Sequence, residues 1–187
     1  MSKKHTFLNI IPSGDTATIL LYGDVGDGEK VESSRVVSEL LAVSTTYQHI
    51  AVRINSRGGD VFEGMAIYNA LKQTEGDVTI YVDGLAASIA AVIALCGKPL
   101  YMSPYAKLML HNVSGGTYGN AEELRQVASQ METLQGNLAE MIAQRCGMTA
   151  DEVKARYMDG SDHWIDAEEA VEMGLADGLF DMEAAGT

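Results

Sequence analysis

Ser88 lies in the segment GLAASIAA (Gly84–Ala91), directly after the strand-like run VTIYVD (Val78–Asp83). A helix start made of tiny residues lets backbone pack closely and leaves N–H groups pointing outward, which suits a nucleophilic hydroxyl beside an oxyanion. A serine in such a run can equally be a space-filler, so its meaning depends on what surrounds it. Histidine is the efficient activator of serine near neutral pH, and the chain has 4. His5 near the N-terminus and His49 at a strand start read as solvated surface residues, and His163 sits beside Trp164 near an expected loop. His111 ends the apolar run Leu108–Leu110 and precedes a Gly-rich turn. Strand ends next to glycines are where α/β folds expose catalytic side chains, although a histidine there can also simply cap the strand.

An aspartate that orients the imidazole would come from Asp159, Asp162 or Asp166. Asp166 precedes AEEAVEMG and reads as a helix N-cap, and Asp159 in DGS reads as a turn residue. Asp162 has no evident local task and is the freest of the three. Gly58 and Gly59 follow a strand and precede a helix, where backbone amides can converge on an anion or merely make a turn. There is no GK[ST] phosphate loop, no GxGxxG, and no GxSxG, because Ala86 and Ala90 occupy its glycine positions. Neither HExxH nor CxxC occurs, so no metal or cofactor is expected.

The elements that must position these residues alternate strand and helix. Ala17–Val25 reads as a buried strand, and Ser33–Val43 as a helix opened by Ser33 or Ser34. His49–Asn55 is the next strand, then the breaker run SRGGD, then a helix over Val61–Gln73 with Phe62, Met65, Ala66, Asn69 and Ala70 marking one face. After VTIYVD the Ser88 helix runs to about Leu95, with short strands at Pro99–Met102 and Lys107–Asn112. Such repeated steps predict parallel strands in a layered α/β fold. Asn120 to Cys146 is one long amphipathic helix with Leu124, Val127, Met131, Leu134, Leu138, Met141 and Ile142 on a stripe. Gly147 caps its end, and Thr149-x-x-Glu152 forms a capping box for the next helix. This helix exceeds what one face of a small sheet needs: it reads either as extra core or, as its Met-rich stripe favours, as a handle packing on a neighbouring subunit.

The 187 residues suit a single domain, with 47% hydrophobic and 21% charged residues typical of a soluble globular chain. A net charge of −13 and the lack of a basic run argue against nucleic acid. The longest apolar run, Leu85–Cys96, is too short to span a bilayer, and MSKKHTFLNI has no signal-peptide core. Cys96 and Cys146 read as reduced, structural thiols, pointing to a cytoplasmic setting.

Four segments in order, INSRGGDVFEGMAIYNAL (Ile54–Leu71), GLAASIAA, KLMLHNVSGG (Lys107–Gly116) and DHWIDAEEAVEMGLAD (Asp162–Asp177), resemble the proteolytic subunit (ClpP) of the Clp proteases. The likeness runs from about Ala17 to Phe180. It implies a ClpP/crotonase-like α/β spiral of ββα units, with residues 120–146 as a protruding handle joining rings. Carried over by position, it implies Ser88 as nucleophile, His111 as base and Asp162 as third member, with the Gly58 and Ile89 N–H groups as oxyanion donors. It further implies extended polypeptide substrates pairing with Gly59 and Val61 and with Val113 and Ser114. The expected assembly is a homo-oligomeric ring, single or stacked, cytoplasmic in a bacterial or phage-infected cell. Housekeeping members usually have proline where Arg57 stands and Gln-Pro where Asn112-Val113 stand. The N-terminal segment also lacks their usual pattern, which leaves coupling to a Clp-type ATPase open. These departures resemble phage and prophage proteases that mature capsids. Other readings consistent with parts of the pattern are a crotonase-type acyl-CoA enzyme, a Ser–Lys peptidase using Lys98 or Lys107, and a catalytically silent ring subunit.

Overall fold

The structure is a computed structural model that describes residues 10–180. Eight strands and six helices follow one another as β1 (Ile10–Ser13), β2 (Thr16–Tyr22), α1 (Ser33–Ser44), β3 (His49–Ser56), α2 (Val61–Gln73), β4 (Asp77–Ala87), α3 (Ile89–Ala94), β5 (Leu100–Met102), β6 (Lys107–Leu110), α4 (Ala121–Cys146), α5 (Ala150–Tyr157), β7 (His163–Asp166), α6 (Ala167–Glu172) and β8 (Gly178–Leu179). They form one sheet of order β1-β2-β3-β4-β5-β8, with β6 on β4 and β7 on β6. As predicted for strand–helix alternation, β2, β3, β4, β5, β6 and β8 pair in parallel. The antiparallel pairs lie at the margins, β1 on β2 and β7 on β6. This is the mixed α/β architecture that the resemblance implies.

The central strand β4 is longer than VTIYVD. It continues through Gly84 to Ala87 and changes partner on the way. Ile80–Val82 pair with Leu100–Met102, whereas Leu85–Ala87 pair with Lys107–Met109. The small residues before Ser88 are therefore strand, and the helix begins only at Ile89. Every residue of α3 is buried, so alanine's small volume lets this helix sit between the sheet and its neighbours.

Three local readings need correction. The helix α1 is capped by Glu32 rather than Ser33 or Ser34, without a side-chain cap bond, while the Ser33 N–H donates to Glu63 of α2. The buried face of α2 is Gly64, Ile67, Tyr68 and Leu71, and Phe62 is 66% exposed. The cause is Gly64: a Cβ there would come within 2.1 Å of Ile89 Cγ1, so α2 rests its glycine on α3 and turns Phe62 outward. Asp166 stands at the N-cap of α6 but makes no cap bond, pairing instead with Lys107 on the neighbouring strand. By contrast, α4 has the predicted ends. Asn120 and Glu123 form a capping box, and Gly147 closes the helix at φ 69°.

The apolar stripe of α4 is buried only at Leu138 and Ile142, in its last turns, where Ala139 is buried beside them. Leu124 is 45% exposed, and the first turns stand clear of the sheet. Cys96 and Cys146 are free thiols. Burial pushes the Cys96 thiol above its usual range, as expected of a structural cysteine. Among the described residues no helix is long and apolar enough to cross a membrane.

Candidate active site

Ser88 occupies the single-residue turn between β4 and α3. It is the one non-glycine residue with positive φ among those described, at φ 57° and ψ −129°. L-residues avoid this region, and such strain is held only where surroundings over-determine it. Here the Ser88 N–H donates to Met109 O of β6 at 2.8 Å, while the Ser88 carbonyl accepts from Ala91 at 3.0 Å in the first turn of α3. The residue is thus pinned from both sides with its hydroxyl held outward.

The pairing of β4 with β6 sets what that hydroxyl meets. Ala87 is opposite Met109, so the residue one step past β6, His111, arrives beside Ser88. His111 Nε2 lies 2.8 Å from Ser88 Oγ. On the other side of the ring, His111 Nδ1 lies 3.3 Å from Asp162 Oδ1, and the imidazole is a quarter exposed. The three side chains singled out in the sequence are therefore contiguous. His49 faces Asp77 and Asp15 at the opposite end of β3, and His163 pairs with Asp159 at 2.8 Å.

The loop bearing Asp162 is stapled around it. Asp159 accepts from His163 and from the Ser161 N–H at 3.0 Å, and these two bonds hold its carboxyl below the usual carboxylate range. Its role is thus more than that of a turn residue. Asn112 also ties this loop, accepting from the Gly160 N–H at 2.6 Å and donating to Met158 O at 2.9 Å.

The two glycine-pair positions differ in duty. Gly58 has φ 93°, and a Cβ there would meet Ala87 O at 2.6 Å, Ser88 Cβ at 2.9 Å and Ile89 N at 3.1 Å. Only glycine allows the turn after β3 to approach the serine this closely. The Gly58 N–H donates to the buried Ser56 hydroxyl at 3.1 Å, whereas no acceptor for the Ile89 N–H is found among the described residues. Gly59, at φ 146°, is locked to Val25 by a bridge that a side chain would obstruct.

A narrow cleft of about 40 Å³ opens at the serine, and Gly59, Val61, Val113 and Ser114 line it together with Ser88, His111 and Asn112. Leu138 and Ile142 of α4 and Met158 form another wall, which the sequence reading did not include. Ser56 was also missed there, although a polar residue closing the apolar strand HIAVRIN was a usable signal. Among the described residues no group of three or more His, Cys, Asp or Glu is placed to hold a metal.

This arrangement, a hydroxyl on a strained turn, an imidazole within hydrogen-bond reach and a carboxylate behind it, is the constellation used for acyl transfer. The model of the Clp protease family matches residues 12–183. The ATP-dependent Clp protease proteolytic subunit 2 of Corynebacterium efficiens is 34% identical over 161 residues, covering 85% of this chain and 80% of that protein. Subunit 2 of Rhodococcus jostii is 34% identical over 140 residues, covering 74% and 71%. The proteolytic subunit of Bacteroides fragilis is 34% identical over 130 residues, covering 68% and 62%. The chain belongs to the Clp protease family and is a peptidase.

Proposed function

We propose that the protein is a serine endopeptidase in which Ser88 attacks the peptide carbonyl, His111 takes its proton and Asp162 holds the imidazole tautomer. The observation that carries this reading is the 2.8 Å contact between His111 Nε2 and Ser88 Oγ on a strained backbone turn. As Ser88 Oγ bonds the carbonyl carbon, its proton passes to His111 Nε2, which then protonates the leaving amine. Water enters, gives a proton to His111 and attacks the acyl-enzyme, and Ser88 is released with its hydroxyl restored. In this reading the Ile89 N–H donates to the oxyanion. The Gly58 N–H becomes the second donor when it exchanges the Ser56 hydroxyl for that oxygen. One such donor is worth roughly 100- to 1000-fold in rate.

The substrate is an extended polypeptide lying between Gly59–Val61 and Val113–Ser114. The exposed first turns of α4 support a handle that packs on further copies, giving a cytoplasmic ring chamber. The residues at Arg57 and Asn112–Val113 favour a phage- or prophage-type member cutting a capsid or scaffold polypeptide. A second reading, a housekeeping subunit working with an ATPase, rests on the names of the relatives.

A fluorophosphonate probe read by intact mass tests the assignment. Wild type should gain one adduct per chain and Ser88→Ala none. Equal labelling of the two, or an unlabelled folded wild type, refutes it.

A further inference from the structure

Asn112 directly follows His111, and its side chain satisfies three partners from two distant segments. Its Nδ2 donates to Gln135 Oε1 of α4 at 2.9 Å and to Met158 O at 2.9 Å, and its Oδ1 accepts from the Gly160 N–H at 2.6 Å. The orientation of the amide is self-consistent. Reversing it would set NH₂ against the Gly160 N–H and oxygen against the Met158 carbonyl, which accepts only. A main-chain donor and a main-chain acceptor two residues apart are thus both held by one planar group. The segment they bracket reaches Asp162 two residues after Gly160.

We infer that Asn112 is a positioning residue that sets the distance from Asp162 to His111, an inference resting on the proposed triad. Asp162 is more than half exposed, and its recorded partner is the His111 ring at 3.3 Å, so its own packing does little to place it. The segments on either side of it must do so. On the C-terminal side His163 stands in register with Leu110 of β6, and Asp159 ties the loop to that point through His163 and closes it on Ser161. The Asn112 amide holds the other end of the loop, Met158–Gly160, to the residue that follows His111. Being covalently next to His111, it moves with the imidazole. Gln135 fixes the remaining amide hydrogen and so keeps the plane from rotating away from the loop. Asn112 lines the cleft at Ser88, but its amide bonds go to Gln135, Met158 and Gly160 and none to Ser88 or His111, so it acts through Asp162.

A double-mutant cycle on peptide hydrolysis and on the rate of fluorophosphonate labelling tests this. Asn112→Ala should lower kcat by about 10- to 100-fold with KM nearly unchanged, the scale of a misplacement near 1 Å. In an Asp162→Ala background the same change should cost almost nothing further, because the group it positions is gone. Wild-type kcat in Asn112→Ala, or losses that multiply in the double variant, overturns the inference. If Asp162→Ala reacts like wild type, the triad itself fails, a distinguishable result. Should Asn112→Ala not fold, the cycle is run with Asn112→Asp, which keeps the acceptor for Gly160 and loses both donors.

Discussion

The backbone at Ser88 makes a prediction that separates strain from chemistry. At φ 57° and ψ −129°, serine and alanine bear the same steric penalty, of about 1–3 kcal/mol, and glycine bears none. Ser88→Ala and Ser88→Gly both delete the hydroxyl and its 2.8 Å contact with His111, so that loss cancels between them. Glycine's greater freedom in the unfolded chain opposes it by about 0.4–1 kcal/mol. The Gly variant should therefore be the more stable by about 1–2 kcal/mol. For a chain of 187 residues each kcal/mol moves the melting temperature by about 2–4 °C, so Ser88→Gly should melt about 2–8 °C above Ser88→Ala. Calorimetry of both at equal concentration measures the gap, and neither should accept the fluorophosphonate. If Ser88→Gly melts at or below Ser88→Ala, the turn is not strained and the reasoning is wrong.

Two further outcomes follow from contacts outside the triad. In Gly64→Ala the new Cβ meets the stiff, β-branched Ile89 side chain at 2.1 Å, so stability should fall by about 1–3 kcal/mol and hydrolysis should slow as the Ile89 N–H shifts. Trimming the obstacle with Ile89→Ala should restore part of both, and no restoration would break the link. Burial raises the Asp177 carboxyl, but the Leu100 N–H and Arg145 outweigh it and hold its pKa below the usual carboxylate range. A depressed folded pKa gives stability present above the unfolded value, near 3.9, and lost as pH falls through the folded one. Asp177→Asn should therefore lower the melting temperature at pH 7, with the difference narrowing below about pH 4. An equal difference at pH 7 and pH 3 would contradict this.

The order of strands and helices was legible because apolar runs bounded by Gly, Pro and Asp map onto β3, α2, β6 and α4 almost residue for residue. Asp162 stood out because it lacked a local task, whereas Ser88 and His111 stood out by position, one in a run of tiny residues after a strand and one at a strand end before a Gly-rich turn. What stayed hidden depends on contacts distant in sequence. Gly64 reads as a neutral helix residue until Ile89, 25 positions on, is seen to need its space, and this reversed the face assigned to α2. The strand β7 is four residues long and exists only through antiparallel pairing with β6. Composition alone cannot separate it from the loop before it. Likewise β4 keeps its strand through Gly84–Ala87 because β6 arrives to pair with it. Asn112 holds partners 23 and 46 residues away, which no local pattern announces.

The partner change within β4 has a consequence for how the peptidase comes into being. Serine and histidine meet because Ala87 is opposite Met109, and a slip of one residue would bring Leu110 or Asn112 to the place of His111. Ser88 directly follows β4 and His111 directly follows β6, so an error in register passes straight into their separation. With Ser88 and His111 as the reacting pair proposed above, competence for the probe should appear during refolding only when the last few rungs between β4 and β6 have formed in register. Activity of the proposed kind would then report on the fold, since a misregistered chain would lack the pair it needs.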